Sequence, residues 1–213
     1  MISVEIFCDS KENCNTYLVT KDDYAILIDP ANNVKHLNKY LEGKSLVAVL
    51  LTHGHYDHFK TLEEILKIYD VPCYLQKRAK DKIFDLNASY AKVFGCNKVP
   101  SVDQTKFVFV NDNDSIEIAN FTIKVLYTPG HTDDSVCYII DNFFFSGDTL
   151  FKNSVGRTDL ITGNTFKLGQ SLVKIKNLKQ DYIIYPGHDG TTSLSSEKKN
   201  NPYPVSYTHL RAH

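Results

Sequence analysis

The most informative segment of this sequence lies at residues 53–58, which read His-Gly-His-Tyr-Asp-His. It follows an apolar run at 46–51 that is typical of a β-strand. Side chains alternate between the two faces of an extended chain, so His53 and His55 can point to the same place. Imidazole is the commonest metal ligand in proteins, and two imidazoles at a strand end form half of a tetrahedral site. The segment therefore predicts a metal-binding site.

The rest of this motif predicts a second ion beside the first. Asp57 and His58 are neighbours in the turn that leads into the next predicted helix. Adjacent side chains point apart, which suits the ligands of a neighbouring ion. We expect Gly54 to leave space where the backbone passes close to the metals.

Three further segments share one order: a predicted strand, a glycine that permits a sharp turn, and then a His or an Asp. They are Thr128-Pro129-Gly130-His131, Ser146-Gly147-Asp148 and Tyr185-Pro186-Gly187-His188. Loops at one edge of a sandwich of sheets would bring them to the first motif. We therefore predict that His131, Asp148 and His188 complete the metal centre, and we interpret the isolated His36 as a structural residue.

The elements that must position these residues are short. Apolar runs rich in β-branched and aromatic residues predict strands at 2–7, 16–20, 24–28, 46–51, 107–110, 121–127, 136–140, 143–145 and 182–185. Apolar residues spaced three and four apart predict helices at 34–41, 62–69 and 166–176, and a further helix is expected at 78–91. This arrangement predicts packed sheets covered by helices, an α/β architecture in layers.

Length and charge limit the classes of function. The 213 residues suffice for one domain, and the 24 Lys and Arg nearly balance the 25 Asp and Glu. Without a strong electrostatic field, a small-molecule substrate is favoured over nucleic acid or a membrane surface. No apolar stretch reaches the roughly 20 residues that span a bilayer, so we expect a cytoplasmic protein. Nothing in the sequence indicates an oligomeric state.

The cysteines and the last residues are expected to lie outside the site. The five cysteines contain no C-x-x-C pair, which argues against a thiolate zinc site and a disulfide framework, so we interpret them as buried free thiols. Residues 206–213 (SYTHLRAH) resemble the translation of sequencing-adapter DNA. We therefore assign the folded domain to residues 1–203 and expect 204–213 to be an artefactual or disordered tail, which excludes His209 and His213.

The motifs together resemble the ligand pattern of the metallo-β-lactamase superfamily, over nearly the whole chain to Tyr203. The resemblance implies a four-layered αββα sandwich with two divalent metal ions at one edge; zinc is the expected metal, and iron and manganese are the alternatives. It implies one ion held by His53, His55 and His131, a second held by Asp57, His58 and His188, and Asp148 bridging the two. Asp29 resembles an early acidic residue of the family that supports the ligands.

Several residues resemble one branch of this superfamily. The commonest dinuclear β-lactamases carry Cys at position 148, whereas the carboxylate of Asp148 can span both ions. Residues 146–151, 156–159 and 197–203 are similar to the short bacterial glyoxalase II-like group, which implies hydrolysis of small acyl thioesters. Asp189 stands where the larger glyoxalase II enzymes have a Tyr, and Asp134 stands where a Gly is usual. These departures argue against glutathione as the substrate.

Such a site would use a metal-bridging hydroxide as the nucleophile. Asp57 is the predicted catalytic residue, because it would both bind a metal and orient the hydroxide. Arg157 is a candidate anchor for a substrate carboxylate; alternatively, it pairs with Asp159 and braces its loop. A mononuclear iron persulfide dioxygenase and a lactonase are the rival functions. A non-catalytic binding module is disfavoured, because no ligand is missing.

Overall fold

The computed structural model describes residues 1–8, 14–32 and 34–203, without the side chains of 34–36. The side chain of His36 and the tail with His209 and His213 lie outside the described residues, so the interpretations of these three histidines stay predictions. The domain boundary at residue 203 also stays a prediction.

The first half of the chain forms a six-stranded sheet covered by helices. Its strands, in spatial and chain order, are β1 (Ile2–Cys8), β2 (Asn15–Lys21), β3 (Tyr24–Ile28), β4 (Ser45–Leu50), β5 (Cys73–Gln76) and β6 (Phe107–Val110). β1 to β3 pair antiparallel, and β3 to β6 pair parallel. The parallel strands are connected through α1 (Val34–Tyr40), α2 (Tyr56–Phe59), α3 (Leu62–Ile68) and α4 (Lys77–Ile83).

The second half forms another six-stranded sheet and a small hairpin. The elements are β7 (Ser115–Ile118), β8 (Phe121–Tyr127), β9 (Val136–Ile140), β10 (Phe143–Gly147), the hairpin β11 (Leu150–Phe151) and β12 (Ser154–Val155), α5 (Thr165–Lys176), β13 (Ile183–Pro186), β14 (Thr192–Ser193) and α6 (Leu194–Asn200). The sheet order is β14-β13-β10-β9-β8-β7. β10 and β13 run parallel, so their carboxyl ends meet at one edge.

Three apolar layers hold these elements together. Leu27 and its neighbours pack against α1, α3 and α4 on the outer face of the first sheet. Ile26 and Ile28 face the other way, toward Tyr138 and Phe145 of the second sheet. The outer face of the second sheet packs on α5 and α6. Strands that are buried on both faces have continuous apolar sequences. The order of layers, helices outside and two sheets inside, confirms the predicted αββα sandwich.

The region after α4 differs from the predicted helix at 78–91. α4 ends at Ile83, and the side chain of Asp85 accepts hydrogen bonds from the backbone N–H groups of Asn87 (2.8 Å) and Ala88 (3.0 Å). A short acidic side chain offers the backbone a turn in place of the helix. Tyr90 then adopts a positive φ of 60° before a short 3₁₀ helix, Ala91–Phe94. This segment forms one wall of the site.

The sequence patterns missed β5 and β7, which have four residues each and, unlike β6, are not continuous apolar runs, and the two-residue strands β11, β12 and β14. The helices are short as well. α5, the longest described helix, has 12 residues and begins after Asn164, whose side chain accepts from the N–H of Lys167 at 2.9 Å. No helix in the described part of the chain is long and apolar enough to cross a membrane.

Candidate metal centre

Three buried imidazoles meet where β4 and β8 end. His53 and His55 follow β4, and His131 follows β8 after a turn. His55 Nδ1 lies 3.1 Å from His53 Nε2 and 3.0 Å from His131 Nε2. All three residues are buried. We call this group the first metal position, because imidazole nitrogens at this separation can share one ion.

A second group lies beside the first, where α2 and the end of β13 approach each other. His188 Nε2 is 3.4 Å from Asp57 Oδ2, and His58 Nε2 is 4.0 Å from the same oxygen. We call these three residues the second metal position. Asp148 lies between the two groups: its Oδ1 is 3.3 Å from His58 Nε2, and its Oδ2 is 3.3 Å from His131 Nε2.

The residues present fit two divalent ions. His58 Nε2 and Asp148 Oδ1 are buried and face each other at 3.3 Å, but neither atom makes a hydrogen bond of good geometry to the described residues. Leaving such an atom unpaired costs about 1–3 kcal/mol, and a cation would satisfy both atoms. Histidine and carboxylate ligands suit zinc, iron and manganese. The structure brings together all of the residues predicted to bind metal: His53, His55, Asp57, His58, His131, Asp148 and His188.

The charge states of these groups suit metal binding. Burial lowers the pKa of His55 to about 3, and burial together with His58 holds the pKa of His53 well below its usual value. Neutral imidazole is the form that binds a metal. Burial opposes the ionisation of Asp148, but His58 and His188 outweigh it and hold the pKa of this carboxyl well below its usual range. The first metal position therefore offers neutral imidazoles at His53 and His55, and Asp148 offers an anionic carboxylate at neutral pH.

Asp29 contacts two of the predicted ligands, His58 directly and His53 through Thr52. Its Oδ2 accepts from Thr52 Oγ1 at 2.7 Å and lies 2.9 Å from His58 Nδ1, and its Oδ1 accepts from the Thr52 N–H at 2.8 Å. Thr52 Oγ1 is in turn 3.1 Å from His53 Nδ1. Bonds to Nδ1 leave Nε2 of both histidines free to bind a metal. The supporting role expected from the resemblance is thus visible in these contacts.

Gly187 explains how β13 can approach the ligands so closely. A Cβ atom at this position would lie 2.2 Å from Asp148 Oδ1 and 2.6 Å from His58 Cε1. Only glycine fits at such a close approach. His131 is oriented from the other side, because its Nδ1 lies 2.8 Å from the backbone oxygen of Arg157.

A buried ion pair holds the turn between His53 and His55. Lys82 Nζ donates to Asp134 Oδ1, to Asp133 Oδ1 at 2.6 Å and to Thr162 Oγ1 at 2.8 Å. Asp134 Oδ2 accepts from the Gly54 N–H at 2.7 Å. Contrary to the expectation for Gly54, its missing Cβ makes room for α4 and not for the metals, since a Cβ there would lie 2.8 Å from Lys82 Cβ.

A cavity of about 480 Å³ opens beside both metal positions. Its lining, apart from the metal-binding residues, consists of Tyr90, Val93, Phe94, Phe151, Ser154, Val155, Arg157, Leu160 and Asp189. The Arg157 guanidinium forms an ion pair with Asp159: Nε and Nη2 donate to the two carboxylate oxygens at 2.7 and 2.6 Å. This is the bracing pair that the sequence allowed. The anchoring role of Arg157 stays a prediction.

The residue that the sequence patterns missed is Cys14. Its Sγ belongs to one cluster with Asp57, His58 and His188, whose potential ligand atoms lie within 4.8 Å of one another. Burial raises the pKa of this thiol to about 12. Nothing in the spacing of the cysteines marks Cys14, because pairing with a distant part of the chain brings it to the site.

Comparison with known proteins agrees with this geometry. The profile of the metallo-β-lactamase superfamily matches residues 10–188. A probable metallo-hydrolase of Bacillus subtilis, YqgX, is 32% identical over 197 residues, 89% of this chain and 91% of the relative. The hydroxyacylglutathione hydrolase of Francisella philomiragia is 32% identical over 178 residues, which cover 81% of this chain and 62% of that enzyme.

Two similar crystal structures share the fold. The B3 metallo-β-lactamase BLEG-1 has a TM-score of 0.83 and 29% identity, covering 95% of this chain and 99% of that one. TTHA1623 in a di-iron-bound form has a TM-score of 0.82 and 28% identity, covering 94% of this chain and all of that one. The fold, the matched profile and relatives similar over nine-tenths of the chain agree, and the protein therefore belongs to the metallo-β-lactamase superfamily.

Proposed function

We propose that this protein is a dinuclear metal-dependent hydrolase of small acyl thioesters. The observation that carries the proposal is the complete set of ligands beside an open cavity, with Asp148 between the two metal positions. The similarity to a hydroxyacylglutathione hydrolase supports the thioester, and the di-iron-bound form of TTHA1623 supports two ions. Zinc remains the expected metal, with iron and manganese as alternatives.

Two divalent ions, when bound, lower the pKa of a shared water toward neutrality and polarise a carbonyl group. Asp57 reaches the cavity and is held by His188, so its carboxylate can accept a hydrogen bond from the attacking water and orient it. A thiolate leaving group has a pKa near about 8.5 and needs little help from a general acid. This agrees with a cavity whose titratable groups are mostly metal ligands.

The residues that line the cavity favour a substrate with an uncharged, apolar substituent. Val93, Phe94 and Leu160 supply apolar surface. Among the described residues, Arg157 is the one Lys or Arg in the lining, and its charge is paired with that of Asp159. A substrate carboxylate would have to compete with that pair. We therefore propose neutral acyl thioesters in preference to glutathione conjugates.

Removal of metal is expected to abolish thioester hydrolysis completely. The reason is that the ligands alone provide no nucleophile. Protein treated with a chelator should regain activity in proportion to the zinc, iron or manganese added, up to two ions per chain, as measured by metal analysis of the active samples. Activity that survives complete metal removal would refute the proposal, and saturation at one ion per chain would refute its dinuclear form.

Arg157→Lys is expected to cause equal, modest losses on a neutral thioester and on a matched thioester that carries a carboxylate. Lysine cannot reproduce the two-point contact with Asp159, and this contact braces the loop whatever the substrate. kcat and KM for both substrates are the measurement, and Asp159→Asn is the matched control. A rise in KM confined to the carboxylate substrate would instead establish Arg157 as an anchor.

β-Lactam hydrolysis is the second candidate, favoured by the similarity to a solved B3 metallo-β-lactamase. The presence of Asp148 separates this chain only from the subclass with Cys at that position. A β-lactam and a thioester, assayed on the same metal-loaded sample, distinguish the two functions. Oxygen consumption with a persulfide in that sample tests the dioxygenase alternative.

A further inference from the structure

Cys14 is held rigidly against the second metal position. It forms an isolated antiparallel bridge with His188 and is only 1% exposed. The next residue, Asn15, donates its backbone N–H to Gly187 O at 2.7 Å and its side-chain amide to Pro186 O at 3.0 Å and Asp189 O at 2.9 Å. Three hydrogen bonds thus hold Asn15, and with it the backbone of Cys14, against the loop that carries His188.

The thiol has the right neighbours for a ligand. Cys14 Sγ forms one cluster with the ligand atoms of Asp57, His58 and His188, all within 4.8 Å of one another. Zn–S and Zn–N bonds of about 2.3 and 2.0 Å allow two ligands of one ion to lie up to about 4.3 Å apart, so small shifts bring all four onto one ion. His58 Nε2 independently indicates a ligand, because it is fully buried and makes no hydrogen bond of good geometry to the described residues.

Another buried cysteine provides a contrast. Cys137 Sγ lies 3.2 Å from Thr128 Oγ1 and donates to Ser146 O at 3.5 Å, so this thiol is satisfied within the core. Cys14 Sγ makes a long contact of 3.9 Å to the adjacent Asn15 O and interacts with the side chain of His58, which is itself a predicted metal ligand. Cys137 is thus satisfied within the core, whereas the side chain with which Cys14 interacts belongs to the second metal position.

We propose that Cys14 is a further ligand of the second metal position, where its thiolate joins Asp57, His58 and His188. The proposal rests on the dinuclear centre, but not on the identity of the substrate. Thiolate is a soft ligand, whereas carboxylate is hard. The second position should consequently prefer zinc or cobalt to manganese or magnesium more strongly than a position built from histidine and aspartate alone.

Cobalt substitution tests this assignment directly. Metal-free protein titrated with Co²⁺ should develop thiolate-to-cobalt charge-transfer absorption in the near ultraviolet. Cys14→Ser should abolish this absorption and weaken binding of one of the two ions by at least about tenfold. Cys137→Ser and Cys8→Ser should leave the absorption intact; Cys137 is buried, whereas Cys8, contrary to the expectation that the cysteines are buried, is exposed. Persistence of the absorption in Cys14→Ser, or its absence from wild-type protein with two Co²⁺ bound, would overturn the proposal.

A second measurement covers the case in which Cys14→Ser does not fold. X-ray absorption of wild-type protein loaded with two zinc ions should show sulfur at about 2.3 Å, with an average of about half a sulfur neighbour per zinc, because only the second ion has the thiolate. A spectrum fitted by nitrogen and oxygen alone would overturn the assignment, as would failure of the chain to bind a second ion. Because neither measurement uses a substrate, sulfur ligation can hold even if the protein hydrolyses no thioester.

Discussion

Replacing Asp57 with alanine is expected to lower kcat for a small acyl thioester by about 10²- to 10³-fold, with a much smaller change in KM. Burial opposes the ionisation of Asp57, but His58 and the hydrogen bond from His188 outweigh it and lower the pKa of this carboxyl. It is thus an anion at neutral pH. Its proposed role is to orient the attacking water, an interaction that strengthens in the transition state, so its loss should appear mainly in turnover.

The measurement is steady-state kinetics together with metal analysis of every sample. Asp57→Asn keeps the shape and removes the charge, so it should lose nearly as much turnover as the alanine variant. Asp70→Ala, a change at an exposed side chain on the turn before β5, is the control and should retain wild-type kinetics. If Asp57→Ala keeps both ions and wild-type kcat, Asp57 is not the catalytic residue.

Replacing Asp134 with alanine is expected to destabilise the protein by about 3–5 kcal/mol, because it leaves the charge of Lys82 buried with one partner fewer. Lys82 is 5% exposed and Asp134 is fully buried. The variant also leaves the Gly54 N–H without its acceptor, between two predicted ligands. Urea unfolding of the metal-free protein measures the loss without a contribution from metal binding.

Two variants make this prediction specific. Asp133→Ala removes the more exposed partner of Lys82 and should cost clearly less stability. The double variant Lys82→Met, Asp134→Ala removes both charges of this buried pair. It should therefore be more stable than Asp134→Ala alone. If the double variant loses as much as the sum of its single variants, the two residues are not coupled and the buried pair does not explain the stability.

Much of the site follows from local sequence. The three histidines and Asp57 in the segment 53–58 lie three to eight residues after the end of β4, and Gly-His and Gly-Asp steps stand at or after the ends of β8, β10 and β13. Alternation along a strand and sharp turning at glycine are local properties, so the candidate ligands could be identified before any contact was known. The layered fold was predictable for the same reason, because most strands and helices longer than about four residues show their own period; α6, with seven residues, was not predicted.

Other features depended on contacts between distant parts of the chain. Cys14 reaches the second metal position through a bridge to His188, and Lys82 reaches Asp134 across 52 positions. Neither pair has a fixed spacing, so no local pattern reveals it. Arg157 illustrates a further limit: Asp159 is only two residues away, but the sequence left its guanidinium free to pair there or to bind substrate, and only the structure shows the pair. Local sequence determined the seven predicted metal ligands, whereas only tertiary packing brought Cys14 and the supporting residues to them, because long-range contacts leave no periodic trace in the sequence.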